Sequence, residues 1–171
     1  MTAEGSGGTL QTGSTEELSE PLHQSLKDLL AYWLSKKGER MAPPRSAINP
    51  ADIVRHLPTI AIINVTGDPP RFSYRLFGTA LAEAYGQDLT GRFLDEVDLD
   101  HISLAVLRQV EKVVREGCVS VHRDSFTKRD GRYLEYERIC LPLSDDGRIV
   151  NMILIGHFIE KAFGTRLVNP S

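Results

Sequence analysis

Apolar positions along this chain change period several times, and each change marks a predicted element. Leu22, Leu26, Leu29 and Trp33 are spaced four and three apart, with Leu30 and Leu34 alongside. That stripe predicts an amphipathic helix over residues 19–38. Ser19 is suited to cap it, Glu20 and Pro21 fit its first turn, and Gly38 follows Lys36 and Lys37 as its stop. Residues 39–56 hold Pro43, Pro44 and Pro50 and read as a rigid connector, with one helical turn capped by Asn49. From Leu57 to Val65 the sequence is apolar on both alternations, the mark of a strand covered on both faces. Thr66 to Pro70 makes a turn. Arg71 to Phe77 then alternates, with Phe72, Tyr74 and Leu76 on one side.

Between residues 78 and 97 the spacing of Leu81, Ala82 and Tyr85 is helical, but Gly86 and Gly91 keep the helices short. Asp100 is placed to cap a longer helix from His101 to Glu116, with Ile102, Val106, Val110, Val113 and Val114 apolar and Gly117 as its stop. Three strands follow: Cys118 to Phe126, Arg132 to Leu143, and Ile149 to Ile159, turned by Asp130-Gly131 and Asp146-Gly147. The pattern predicts an α+β fold with a five-stranded antiparallel sheet and a helical insert between strands 2 and 3. The two doubly apolar strands, first and last, are expected side by side at the centre. The insert covers one face, and the N-terminal helix covers the other, from its own chain or a neighbour. Residues 1–18 and 161–171 are expected to be tails, the first because its Gly, Ser and Thr content buries too little. Residues 57–160 form the core domain.

Composition narrows the function classes. Of 171 residues, 41% are hydrophobic and 25% charged, an ordinary globular balance. A net charge of −3 sets up no field toward nucleic acid or anionic lipid. The N-terminus lacks the basic and apolar regions of a signal peptide, and no apolar run is long enough to span a bilayer. A cytoplasmic protein with no membrane insertion and no nucleic-acid partner is expected. The two cysteines, Cys118 and Cys140, form no CxxC pair. The histidines show no metal-ligand spacing, and GxSxG, HExxH, Walker A and GxGxxG motifs are absent, so catalysis is not expected. Turn chemistry accounts for Asp145-Asp146.

The order of elements resembles a PAS domain. Phe77 to Val97, FGTALAEAYGQDLTGRFLDEV, is similar to the PAS helical insert. More narrowly, the pair Tyr32-Trp33, the connector with Gly38, Pro43 or Pro44, and Arg45, and the strand end Tyr74-Arg75-Leu76-Phe77-Gly78-Thr79 resemble small alphaproteobacterial proteins built on one PAS domain. The resemblance covers roughly residues 26–160. It implies a bacterial stand-alone sensory or regulatory module of signal transduction, binding a small ligand, a signalling partner protein, or both. It does not fix a cofactor. A flavin adduct of the light-sensing kind needs a cysteine in the insert, and neither cysteine lies there. His101 is the one candidate axial ligand for haem, at a helix start where further positive charge is disfavoured. Neither flavin nor haem is expected.

Candidate ligand-pocket residues are Phe72, Tyr74 and Leu76 on the second strand, Val106 and Val110 on the long helix, and Tyr136. Leu22, Leu26, Leu29 and Trp33 are candidates for a homodimer seam. The alternative is a small cone-shaped α+β enzyme or carrier, isomerase-like or lyase-like, using the same cavity.

Overall fold

The computed structural model describes residues 13–97, 101–127 and 133–160. The expectations that concern residues 1–12, the Asp100 cap, the Asp130-Gly131 turn and residues 161–171 lie outside the described residues, as does the side chain of His101. The elements run β1 (Gly13–Leu18), α1 (Gln24–Lys37), β2 (Ile60–Thr66), β3 (Arg71–Phe77), α2 (Thr79–Tyr85), α3 (His101–Glu116), β4 (Ser120–Thr127), β5 (Tyr133–Leu143) and β6 (Met152–Glu160). One antiparallel sheet has the order β1-β4-β5-β6-β2-β3. The doubly apolar strands β2 and β6 do pair, from Ile60↔Gly156 to Asn64↔Met152. The sheet has six strands rather than five. Residues 13–18, expected in a tail, add β1 to the edge of β4 in register Gly13↔Phe126 to Leu18↔Val121.

The sheet divides two cores. Beneath α2 and α3 lie Ile63, Phe72, Tyr74, Phe77, Leu81, Val110, Val113, Ile153 and Ile155, and this side is called the insert face here. On the outer face Leu26, Leu29 and Trp33 of α1 pack with Ile60, Ile62, Ile139, Leu141, Leu143 and Leu154. These three α1 residues are 1%, 0% and 2% exposed within their own chain. Three of the four residues expected at a seam between copies therefore cover their own sheet, and only Leu22, at 54% exposure, faces solvent. Full burial of such side chains stabilises by about 1.5–3 kcal/mol each.

The Tyr32-Trp33 pair has a structural role. Trp33 Nε1 donates to the Pro142 carbonyl at 2.9 Å and fixes α1 on β5. The Tyr32 hydroxyl accepts from Asn49 N at 2.9 Å and donates to Asp52 at 3.1 Å, fixing the connector to the helix. Asn49 caps the turn Pro50–Ile53 as expected, accepting from Ala51 N at 3.1 Å. The helix itself starts at Gln24, not near Ser19. The two residues leading into it are held from outside the element: the Glu137 carboxylate of β5 accepts from Leu22 N at 2.8 Å and His23 N at 3.4 Å. The first central strand also starts late. Leu57–Thr59 is a 3₁₀ turn, because Pro58 has no N–H for a ladder.

Leu76 is misplaced by the simple alternation. Ile62 pairs with Leu76 and Ile63 with Tyr74, so Arg75 is one extra residue on β3. That bulge flips the phase: Phe77 takes the insert face at 8% exposure, and Leu76 is 40% exposed. The strand ends on Gly78, whose N–H donates to the Ile60 carbonyl at 2.8 Å. A Cβ there would strike backbone, the Pro58 carbonyl oxygen first and the Ile60 oxygen at 2.8 Å. Gly78→Ala is therefore expected to cost about 1–3 kcal/mol in denaturant unfolding. An unchanged midpoint and slope would show that the two strand ends are not held this close.

Candidate functional site

The insert face is apolar except at one end of β4, β5 and β6. There the register sets His122, Arg138 and His157 side by side across three strands, with Asp124 opposite Tyr136 one step along. Strand alternation sends these even-numbered β4 and β5 positions to one face. Arg138 is 0% exposed and Asp124 1%. Arg138 Nη1 stands 2.6 Å from Asp124 Oδ2, and Nε donates to Gln109 Oε1 of α3 at 2.6 Å. Gln109 in turn donates to the carbonyl and hydroxyl oxygens of Ser120, at 3.1 and 3.2 Å. Arg138 Nη1 also donates to the Tyr136 hydroxyl at 3.4 Å, which lies 3.4 Å from the Tyr85 hydroxyl of α2. Arg138 Nη2 and Asp124 Oδ1 are buried without a hydrogen-bond partner. A buried group left so costs about 1–3 kcal/mol. None of Gln109, Asp124, Arg138 or His157 stands out in the sequence, because polar residues on a strand, or beside a charged residue on a helix as Gln109 is beside Arg108, read as solvent-facing.

The electrostatics suit binding better than proton transfer. Burial works against the Arg138 charge, but Tyr136 and Asp124 beside it hold the guanidinium protonated, above its ordinary range. Burial pushes the Tyr136 phenol well up and the Cys140 thiol up to about 12. Burial, with Arg138 adding to it, pushes His157 down to about 3. His157 is thus neutral at physiological pH. Its Nδ1 bonds the Thr59 carbonyl at 3.0 Å, which makes Nδ1 the protonated nitrogen.

Beside this cluster lies a cavity of about 10 Å³, lined by Leu81, Ala84, Tyr85, Leu134, Tyr136, His157 and Ile159. That is room for about one water molecule. A second cleft, of about 110 Å³, lies at the surface between the start of β3 and α3. Its lining includes Phe72, Leu94, Leu107 and Glu111, and Arg71 paired with Asp95 at 2.8 Å. The six expected pocket residues are therefore dispersed. Tyr136 lines the cavity and Phe72 the surface cleft. Tyr74, Val106 and Val110 are buried core, at 8%, 5% and 0% exposure, and Leu76 is exposed beyond the bulge. Among the described residues no group of His, Cys, Asp and Glu is arranged to hold a metal ion. Asp146 is explained by its turn, accepting from Arg148 N and Ile149 N at 2.8 Å.

The family model described as PAS domain matches residues 22–156. The chain belongs to the PAS domain family. No curated protein matches it. A solved structure described as an RNA-binding Light-Oxygen-Voltage receptor is similar at 16% identity and a TM-score of 0.40, over 86% of this chain and 38% of that one. The chain thus spans well under half of that receptor's length. Family membership supports a sensory module in general. Among the described residues no helix is long and apolar enough to cross a membrane.

The buried neutral imidazole gives a pH signature. The unfolded chain takes up a proton near the ordinary value of 6.5, whereas the fold resists until about 3. The unfolded state therefore binds more protons in that window, and the His157 share of stability falls as pH falls. From about pH 7 to about pH 5 wild type is expected to lose about 2 kcal/mol more than His157→Gln in denaturant unfolding. Parallel pH profiles for the two chains would show that His157 is not held neutral.

Proposed function

We propose that this chain is a PAS sensory module that binds a small ligand between α2 and the sheet and passes the change to a partner protein. The observation that carries the reading is the conjunction of a small apolar cavity with a buried polar cluster at its wall. Tyr85 and Tyr136 line the cavity, and the Tyr136 hydroxyl is tied to Arg138. Sites for small molecules have this form: apolar walls with a few convergent polar groups.

The dimensions point to a route. A cavity of about 10 Å³ admits no metabolite as it stands. A ligand enters only if α2 moves outward. Of the elements around the cavity, α2, β5 and β6, it is the cheapest to move: seven residues, with Leu81 its one buried residue. Gly86 ends it in the left-handed conformation, at φ 86°. Occupancy then reaches α3 through Tyr85, Tyr136, Arg138 and Gln109, a continuous run of side chains across α2, β5 and α3. The alternative of an isomerase-like or lyase-like enzyme asks for a group poised to exchange protons near neutrality. Tyr136, Cys140 and His157 are each shifted away from that range.

The residues, rather than the size of the closed cavity, bear on cofactors. Neither Cys118 nor Cys140 lies in the insert between β3 and α3, where a flavin adduct would need one, and the protein is expected to be colourless. A visible absorption band that persists through purification and dialysis would contradict that.

Ala84 lines the cavity from α2 and is part-exposed, so a larger side chain can stand across the cavity mouth with its outer part in solvent instead of filling the dense core. Ala84→Phe is expected to keep the melting temperature within a few degrees while abolishing reporter output or partner binding in cells. A folded Ala84→Phe chain with full signalling would mean that this interior is only a core.

A further inference from the structure

Strand β1 is held differently from the other strands. None of its six residues is buried. Its attachments are the backbone ladder to β4, a Ser14–Ser125 hydroxyl bond of 2.7 Å, an ion pair from Glu17 to Lys112 of α3, and the partial packing of Leu18 on the outer-face core. The family match begins at residue 22, so β1 is an addition to the sheet that the match covers. The edge it covers carries several basic side chains among acidic neighbours, Glu111 and Glu116 of α3, the latter 3.7 Å from Arg115. Lys112 stands over it from α3, with Arg108 and Arg115 exposed four residues before and three after, on the same side of the helix. Arg123, which pairs with Glu135 of β5, lies opposite Glu16 in the register, and His122 lies opposite Glu17.

We propose that the outer edge of β4 is a docking site for an extended acidic segment of a partner protein, and that β1 occupies it as a tethered stand-in. This rests on the reading that the module signals through a partner, and it names that partner's chemistry. The segment is a strand with carboxylates at the positions of Glu16 and Glu17 and an aliphatic residue at that of Leu18. The β4 backbone supplies affinity, and Lys112, which already pairs with Glu17, selects a carboxylate at that position, with Arg123 shared between Glu135 and the incoming strand. The charge argues against a second copy adding its own β1 outside the first, because Glu16 and Glu17 would meet like charge. Tethering keeps the site closed at rest, since a linked strand competes at an effective concentration near millimolar.

The test uses the full chain and two labelled hexapeptides, Gly-Ser-Thr-Glu-Glu-Leu and its charge-reversed form Gly-Ser-Thr-Lys-Lys-Leu. In the variant Glu16→Pro with Glu17→Pro, adjacent prolines remove a ladder N–H whichever way the strand faces, and both carboxylates are lost. Fluorescence polarisation is expected to show the acidic peptide binding this variant about tenfold or more tightly than wild type, and the basic peptide binding neither. Independently of that variant, hydrogen exchange on wild type should show amides 13–18 exchanging about 100-fold faster than those of β5. Equal affinity for both chains, equal binding of both peptides, or β1 amides as protected as β5 would overturn the proposal. So would a doubled mass of the variant without peptide binding, which puts a second copy on the edge. A failure here leaves the Ala84→Phe result untouched, so the docking edge and the ligand cavity fall separately.

Discussion

A guanidinium with no exposure to solvent sits at the end of the insert face, and the surrounding polar structure follows from the need to hold it. Arg138 keeps its proton, so its charge must be met inside. Asp124 meets it from β4, Gln109 from α3 and Tyr136 from its own strand. Gln109 is thereby fixed, and its amide holds the start of β4 through Ser120. The same positive charge adds to burial in keeping His157 neutral, which leaves that ring to bond the Thr59 carbonyl ahead of β2. One buried cation thus ties together α3, β4, β5, β6 and the turn before β2. A buried ion pair is weak evidence for stability, since apolar side chains of similar volume hold such a place at least as well. What it supplies here is connection: Arg138 bonds both the Tyr136 hydroxyl of β5 and Gln109 of α3.

The parts legible in the sequence are those in which burial is written as a period. Val106, Val110 and Val113 mark the inner stripe of α3, and the doubly apolar runs place β2 and β6 side by side, although β5 and β6 form the central pair and β2 lies one strand from the edge. Phe72 and Tyr74 keep the phase of their strand, but Leu76 does not, because the Arg75 bulge is a backbone event with no hydrophobic signature. Strand β1 escapes notice for a related reason. Its pairing rests on backbone ladder bonds, and its side chains stay largely in solvent. The site was legible only at Tyr136. Arg138 and Asp124 look like ordinary solvent-facing charges until α3 closes over them. Glu137 serves the start of α1 across 115 residues of sequence, a distance local capping rules do not span.

The two faces of the sheet divide the work. The outer face is filled by α1 and its connector, so the apolar stripe that suggests a seam between copies is already covered. The insert face carries the polar cluster and the one cavity-lining pair of tyrosines, under the short helix α2. Arg138 is where the two meet, since Glu137 next to it on β5 points to the outer face and receives the start of α1. Strand β5 therefore contacts α1 through Glu137 and α3 through Arg138, the connection that the proposed ligand response would use.

The most direct measurement of this account is native mass spectrometry of the full chain exposed to an extract of small metabolites. The account predicts a species heavier than the 19.0 kDa chain, whose added mass is released intact on denaturation and is missing from the Ala84→Phe chain. Spectra in which wild type carries no small molecule, or in which Ala84→Phe binds it equally well, would contradict a sensory cavity beneath α2.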